Sequence, residues 1–380
     1  MERSMTAPIH GTCDPRFAAV KAAFENNFSE HDDLGASVAI TLDGEFVVDL
    51  WGGHLDEERT QPWQEDTLVN VWSSTKTMAA MSLLLLADRG EVDLHAPVSK
   101  YWPEFAQNGK KAVEVRHFLS HSAGLSGMDK KVEGDALYDW EWMTTALAKQ
   151  EPWWEPGTQS GYHALTQGHL IGEIVRRVTG QTIGNFFRQE IAEPTGADFH
   201  IGADEALDAR ITNLVPPKSG PAPNPDSIAG RTFANPGVNA TEPRKRSWRA
   251  AEIPAANGQG NARSIVRAQT AMANGGQAFG KTLLSEAGTK RIFEKQIEGT
   301  DLVLGLPLTF GMGYGLNSPA TPISPNANTC YWGGYGGSSV IVDQDAGLCF
   351  SYVMNKMETG LVGDPRGFGL AAAMYMSMAG

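Results

Sequence analysis

The sequence predicts an α/β fold with one antiparallel sheet that is flanked by helices and built from both ends of the chain. Strand-forming segments joined by turns occur near both ends, whereas the sequence between them is mainly helical in pattern. A mainly helical lobe is therefore inserted within the sheet domain. We expect a discontinuous α/β sheet domain of residues 10–72 and 250–380, and a helical domain of residues 73–249.

The N-terminal part of the chain shows a helix followed by a hairpin. Apolar residues at helical spacing predict an amphipathic helix over residues 14–28. Residues 38–42 and 46–50 are rich in β-branched and apolar residues and flank Asp43-Gly44. An Asp-Gly pair supplies the two residues that a tight hairpin turn prefers, so two paired strands are predicted here.

Helical patterns dominate the middle of the chain. The pattern over residues 73–86 is apolar almost all round, which predicts a buried helix. Further helices are predicted over residues 113–120, 137–150, 164–179, 181–191, 264–273 and 285–293. Six prolines within residues 215–240 predict an irregular segment that packs over the site instead of linking independent domains.

The C-terminal part returns to strand patterns. Residues 310–316 resemble a strand interrupted by glycines, and residues 339–342 and 348–354 form a second predicted hairpin around Asp345-Ala346-Gly347. A helix over residues 367–378 completes the predicted fold.

Composition and charge exclude several kinds of partner. The net charge of −13 leaves little positive charge to neutralise phosphate, which argues against nucleic-acid and anionic-membrane partners. No apolar run is long enough for a membrane span, and the first residues lack the pattern of a signal peptide. Cys13, Cys330 and Cys349 show no metal-ligand spacing, so we expect no metal and a reducing, cytoplasmic location. No obligatory protein partner is evident.

The buried helix over residues 73–86 begins with a candidate nucleophile. Ser73 and Lys76 are one helical turn apart, which places the hydroxyl and the amine on the same face. The unsatisfied N–H groups at a helix start favour an alkoxide, and burial lowers the pKa of a lysine until it can act as a base. The alternative is a helix cap followed by a surface lysine.

A Ser-Lys pair also needs a second base or proton shuttle and an oxyanion hole, and two further segments can supply them. Tyr162 precedes a predicted helix, and a lysine ammonium beside its phenol would stabilise a phenolate able to accept the serine proton. Taken alone, Tyr162 is more typical of a core tyrosine. The Gly-rich residues 332–335 lack bulk, so a substrate carbonyl can approach the backbone there. We expect the N–H groups of Ser73 and Tyr335 to form an oxyanion hole.

Three motifs occur together and in a characteristic order: Ser73-x-x-Lys76, then Pro156-Gly157 followed by Tyr162, then Trp332-Gly333-Gly334. This arrangement resembles the serine hydrolases of the class C β-lactamase type, and most closely the family VIII carboxylesterases. The resemblance implies a fold like that of β-lactamases and penicillin-binding proteins. It also implies Ser73 as nucleophile, Lys76 and Tyr162 as the base system, the amides of Ser73 and Tyr335 as the oxyanion hole, and no cofactor.

The chain departs from the lactamase pattern at two points. Tyr162-His163-Ala164 stands where lactamases carry Tyr-x-Asn, and Trp332-Gly333-Gly334 stands where they carry Lys-Thr-Gly. The cation that would meet a β-lactam carboxylate is thus absent, and an uncharged, aromatic-walled pocket suits a neutral ester. The residues expected to line this pocket are Trp332, Gly333, Gly334, His163 and Trp72.

The sequence therefore predicts a serine carboxylesterase that hydrolyses small neutral esters, preferentially with short acyl groups, through an acyl-enzyme on Ser73. Weak β-lactamase side activity is compatible with this prediction. An acyltransferase that uses the same acyl-enzyme, a β-lactamase or amidase, and an inactive binding homologue are the alternatives. Product analysis with an added alcohol separates the first alternative, and labelling of Ser73 by a fluorophosphonate separates the last.

Overall fold

The computed structural model describes residues 7–218 and 223–379. Its strands are β1 (Ile9–Cys13), β2 (Gly35–Leu42), β3 (Glu45–Gly53), β4 (Val69–Asn70), β5 (Gln259–Gly260), β6 (Gln277–Ala278), β7 (Lys281–Thr282), β8 (Ile297–Thr300), β9 (Pro307–Phe310), β10 (Gly315–Leu316), β11 (Thr329–Gly333), β12 (Ser339–Asp343) and β13 (Leu348–Met354). Within the described residues, nine of them form one antiparallel sheet in the order β1-β3-β2-β13-β12-β11-β10-β9-β8. Because β2 and β13 are neighbours, the sheet is built from both chain ends, as predicted.

Tight turns create the two predicted hairpins. Asp43 and Gly44 join β2 to β3 with φ angles of +52° and +85°. Positive φ at both central residues is the geometry that an Asp-Gly hairpin turn requires. Gly347 supplies a positive φ, +60°, before β13 in the second hairpin.

The helices are α1 (Ala18–Glu30), α2 (Thr75–Asp88), α3 (Arg116–Leu119), α4 (Trp140–Lys149), α5 (Thr166–Thr179), α6 (Ile183–Phe187), α7 (Glu193–Thr195), α8 (Ile228–Ala234), α9 (Arg246–Ala250), α10 (Ala262–Ala273), α11 (Glu286–Lys290) and α12 (Pro365–Ala379). Helix α2 is buried from Thr75 to Ala87, as its apolar sequence predicts. None of the helices in the described part of the chain combines the length and the apolarity needed to cross a lipid bilayer.

Helices cover both faces of the sheet. Thr41 on β2 hydrogen-bonds Thr270 of α10 at 2.8 Å, so this face of the sheet lies against α10. Tyr352 on β13 points to the other face, where it contacts Gly367 of α12, and α12 packs on α1. Helix α2 lies beyond α10 and packs on α5. The division into two domains at residues 72 and 250 stays a prediction.

Two features of the sheet differ from the prediction. Residues 310–316 are not one strand: β9 ends at Phe310, and a turn containing Gly313, with φ +91°, leads into β10. The chain reverses at this turn, and β10 pairs antiparallel with β9. The edge strands β1 and β8 were not predicted.

The predicted irregular segment at 215–240 contains one short helix, α8, and its residues 219–222 lie outside the described residues. Ile228 and Phe233 of α8 pack against a small apolar cluster that includes Tyr162. The described part of the segment thus covers the predicted site, as expected.

Candidate active site

Ser73 lies in a tight turn between β4 and α2. Trp72 directly before it has a φ of +47°, in the left-handed region that non-glycine residues rarely adopt. The indole of Trp72 is packed 5.5 Å from the ring of Trp248 and 5.6 Å from that of Tyr335, which holds this conformation. Strained backbone of this kind is concentrated at functional sites. Trp72 is only 5% exposed and supports the turn, and its place in the lining of the pocket stays a prediction.

Lys76 reaches back from the first turn of α2 to the serine. Its Nζ lies 3.2 Å from Ser73 Oγ, 2.7 Å from the carbonyl oxygen of Ala164 and 2.9 Å from that of Ala255. The side chain is 1% exposed, and burial lowers its pKa well below the ordinary value of a lysine. Among the described residues no carboxylate pairs with Lys76 to oppose this effect.

The surroundings of Lys76 match a neutral amine. A neutral amine has two N–H donors and one lone pair, whereas an ammonium has three donors and no lone pair. The two carbonyl oxygens of Ala164 and Ala255 accept the two N–H groups. The lone pair is then left for the third neighbour, the hydroxyl of Ser73, which makes Lys76 a candidate general base.

Tyr162 approaches the serine from the opposite side. Its hydroxyl donates a short hydrogen bond to Ser73 Oγ, and its ring centroid lies 4.6 Å from Lys76 Nζ. The structure therefore brings together the three residues that the sequence nominated. Burial raises the pKa of Tyr162 well above its ordinary value, and the hydrogen bond to Ser73 opposes this only partly. The raised pKa favours the protonated phenol over the phenolate that the sequence analysis expected beside a lysine ammonium.

His163, which we predicted to line the pocket, is a structural residue. It is completely buried; its Nδ1 donates to the carbonyl of Gly161 at 2.6 Å, and its Nε2 accepts from the N–H of Leu125 at 3.1 Å. Both ring nitrogens are thus occupied, and burial lowers the pKa of His163 to about 3. Because both nitrogens are occupied, His163 has no ring nitrogen left to hydrogen-bond a substrate.

The Gly-rich segment is joined to the start of α2. Ser338 Oγ donates to the carbonyl of Val71 at 2.8 Å and lies 2.9 Å from Ser74 Oγ. Gly334 packs so closely that a Cβ there would overlap the Val71 carbonyl oxygen and would lie 3.2 Å from the amide nitrogen of Ser73. The next amide, that of Tyr335, finds no acceptor among the described residues. The two predicted oxyanion-hole residues are therefore adjacent in space.

Gly334→Ala tests this packing. The added methyl group must push the strand end away from Ser73, so we expect kcat for ester hydrolysis to fall by about 100-fold or more. Gly369→Ala on α12 is the matched control, since a Cβ at Gly369 meets nothing within 4 Å. Equal activity of the two variants in a p-nitrophenyl ester assay would contradict this account of Gly334.

The walls around Tyr162 are apolar. Trp332 is 2% exposed and packs 5.5 Å from the ring of Tyr162 and 5.4 Å from that of Phe310. Val303 and Leu308 complete the buried cluster, which contains no charged side chain. A site with this lining binds uncharged groups more readily than anions.

Gly333 has a different role from the one predicted. A Cβ at Gly333 would come within 2.5 Å of the backbone of Val362, so this glycine lets the segment at 362–363 lie directly on β11. The side of Gly333 on which a Cβ would stand faces residues 362–363. Trp332 is thus the residue of the Trp-Gly-Gly motif that contacts Tyr162.

Two residues near Tyr162 were missed by the sequence analysis. His121 has a φ of +57° and accepts a hydrogen bond from the N–H of His163 at 3.0 Å. Asp301, in the turn between β8 and β9, accepts a hydrogen bond from the N–H of Tyr162 at 3.0 Å. No motif marks either residue, because their roles depend on contacts between distant parts of the chain.

Comparison with known proteins agrees with this geometry. The family model described as "Beta-lactamase" matches residues 23–373. The esterase/beta-lactamase LipL of Mycobacterium tuberculosis is 36% identical over 370 residues, which cover 93% of this chain and 84% of LipL. The crystal structure of a family VIII carboxylesterase is 41% identical with a TM-score of 0.92, and the match covers 97% of this chain and 100% of that one. A penicillin-binding-protein homologue from Caulobacter crescentus is 39% identical with the same TM-score and the same coverage. The catalytic motifs, the fold and these similarities together show that the chain belongs to the β-lactamase family.

Proposed function

We propose that the protein is a serine carboxylesterase that hydrolyses neutral esters through an acyl-enzyme on Ser73. The observation that carries the proposal is the pairing of Ser73 Oγ with a buried, carbonyl-bound Lys76 at 3.2 Å. LipL and the family VIII carboxylesterase, whose names describe esterases, support the reaction class.

Acylation begins with proton transfer from Ser73 to Lys76. As the hydroxyl proton moves to the lone pair of Lys76 Nζ, Ser73 Oγ attacks the ester carbonyl carbon. The carbonyl oxygen becomes an oxyanion, which the amides of Ser73 and Tyr335 stabilise. When the intermediate collapses, Tyr162 donates its proton to the leaving alkoxide, and the proton on Lys76 returns to Tyr162. The alcohol leaves, and the acyl group stays on Ser73.

Deacylation repeats these proton transfers with water in place of the alcohol. Water attacks the acyl carbonyl and gives up one proton to the base system of Tyr162 and Lys76. The same two amides hold the second oxyanion. Collapse returns a proton to Ser73 Oγ and releases the carboxylic acid, so each cycle consumes one ester and one water.

The lining of the site favours neutral substrates over anionic β-lactams. Trp332 stands where the resembling lactamases carry a lysine, and it packs into an uncharged cluster. Burial lowers the pKa of Lys76, the buried amine at the site, well below its ordinary value, which disfavours a cation there. A carboxylate bound here would lose its hydration without gaining a cationic partner, which is costly.

The experiment compares p-nitrophenyl butyrate with a chromogenic cephalosporin on the same enzyme preparation. We expect kcat/KM for the ester to exceed that for the cephalosporin by about 100-fold or more, because an unpaired buried carboxylate costs several kcal/mol. p-Nitrophenyl decanoate is added to test the short-chain prediction. A cephalosporin turned over as efficiently as the ester would contradict the neutral-ester proposal.

The cellular location stays a proposal that rests on the cysteines. We propose a cytoplasmic enzyme, because Cys13, Cys330 and Cys349 are all free thiols. Cys330 and Cys349 both lie opposite Val342, on the two strands that flank β12. Residues at matching positions two strands apart are separated by two strand spacings, about 9.6 Å, and this distance between the two cysteines is too long for a disulfide bond. These cysteines thus show no sign of an oxidising compartment.

A further inference from the structure

Three successive amides hold the backbone of Tyr162. The N–H of Gly161 donates to the carbonyl of His121 at 2.9 Å, and the N–H of His163 donates to the His121 ring at 3.0 Å. Between them, the N–H of Tyr162 itself donates to the carboxylate of Asp301 at 3.0 Å. His121 belongs to the helical region, whereas Asp301 belongs to the sheet. The tyrosine is thus clamped between two parts of the fold.

The Asp301 carboxylate also organises its own turn. Asp301 is 1% exposed, and its Oδ1 accepts hydrogen bonds from the N–H groups of Val303 and Leu304, both at 2.9 Å. The N–H of Leu302 donates to the carbonyl of Ser160 at 2.9 Å, which joins the same turn to the chain before Tyr162. One oxygen therefore fixes both the tyrosine and the turn whose Val303 and Leu304 pack against it.

The second oxygen of Asp301 distinguishes it from an ordinary turn residue. Oδ2 is buried and has no hydrogen-bond partner among the described residues. A buried carboxylate oxygen without a partner costs stability, which the three hydrogen bonds to Oδ1 must offset. Burial raises the pKa of the Tyr162 phenol, and the nearby Asp301 raises it further.

We propose that Asp301 is a positioning residue for the acid–base step, because it holds Tyr162 in register with Ser73. The inference rests on the proposed esterase function. Asp301 touches the backbone of Tyr162 and no reacting atom, so it acts through the tyrosine alone.

The predicted effect depends on the leaving group. A strongly basic alkoxide needs the Tyr162 proton to depart, whereas p-nitrophenolate leaves without one. A displaced Tyr162 therefore slows the acylation of alkyl esters more than that of p-nitrophenyl esters. General loosening of the fold would slow both classes alike.

The test measures kcat/KM for p-nitrophenyl acetate, phenyl acetate and ethyl acetate. Asp301→Ala removes all three hydrogen bonds, and we expect about a 100-fold loss on ethyl acetate with less than about a tenfold loss on p-nitrophenyl acetate. Asp301→Asn keeps the accepting oxygen but weakens its hydrogen bonds by removing the charge, so it is expected to show the same difference between the esters with smaller losses. Tyr162→Phe removes the phenol hydroxyl altogether and should show the largest difference in loss between ethyl acetate and p-nitrophenyl acetate. Leu306→Ala, which changes an exposed residue of the same turn, is the control.

The outcomes separate this inference from the proposed function. Equal losses on all three esters in Asp301→Ala, or full activity of that variant on ethyl acetate, would overturn the positioning role while leaving esterase activity established. Absence of ester turnover in the wild-type protein would instead overturn the proposed function. Thermal unfolding of each variant shows whether enough folded enzyme is present, and Asp301→Asn keeps the test decisive if Asp301→Ala does not fold.

Discussion

Ser73→Ala abolishes ester hydrolysis, with an expected loss of about 10⁴-fold or more in kcat/KM for p-nitrophenyl butyrate. The variant removes the nucleophile of the proposed acyl-enzyme, and removal of a serine nucleophile elsewhere costs up to about 10⁶-fold. Ser73 Oγ lies 3.2 Å from Lys76 Nζ and accepts a hydrogen bond from the Tyr162 hydroxyl, so the proposed base system converges on this oxygen. The turn itself is held by Trp72 and Ser338, and the fold should therefore survive the change.

Ser82→Ala is the matched control for Ser73→Ala. Ser82 is a buried serine of the same helix whose hydroxyl donates to the carbonyl of Met78 at 2.9 Å, one turn earlier. Removing that hydroxyl should leave catalysis unchanged. Comparable activity of Ser73→Ala and Ser82→Ala would refute the assignment of the nucleophile.

Lys76→Met has the second largest expected effect, a loss of about 10³- to 10⁴-fold in kcat/KM at neutral pH. The methionine keeps the volume of the side chain but removes the lone pair that accepts the serine proton. Lys76 must be neutral to act, so wild-type kcat/KM should fall as the pH drops through its pKa. Burial places that pKa well below the ordinary lysine value, and the acid limb of the profile should lie correspondingly low. In Lys76→Met, the fall of kcat/KM at low pH should disappear together with most of the activity.

Lys110 offers a matched control for the buried amine. It is also fully buried and also donates to backbone carbonyls, those of Gln107 and Gln150, and burial lowers its pKa to about 8. It makes no contact with the catalytic serine. Lys110→Met should alter the stability of the protein and leave the pH profile of kcat/KM in place, and a shift of that profile would argue against Lys76 as its source.

The main elements of the fold could be predicted because their signals are local. The Asp43-Gly44 turn fixes a hairpin, and the apolar sequence of α2 requires burial wherever the helix lies. The edge strands β1 and β8 lack such signals. Both are short and largely exposed, and neither shows the alternation of apolar and polar residues that marks a half-buried strand.

The meeting of Ser73 and Lys76, the proposed nucleophile and base, could be predicted for a similar reason, whereas the contacts that support the site could not. Ser73 and Lys76 are one helical turn apart, so their meeting follows from helix geometry. Asp301 lies 139 residues from Tyr162 in the sequence, and its contact exists only once the β8–β9 turn packs on the segment before α5. The direction of the Tyr162 pKa could not be predicted from the neighbouring lysine alone, because it depends on the burial of the whole site.

The most direct test of the account is the capture of the acyl-enzyme. The wild-type protein is mixed with p-nitrophenyl butyrate, quenched in acid within the first turnovers, digested and analysed by peptide mass spectrometry. We predict a butyryl group on the peptide that contains Ser73, and no such group in Ser73→Ala. A butyryl group on another residue, or rapid ester turnover by Ser73→Ala, would contradict the assignment of Ser73 as the nucleophile.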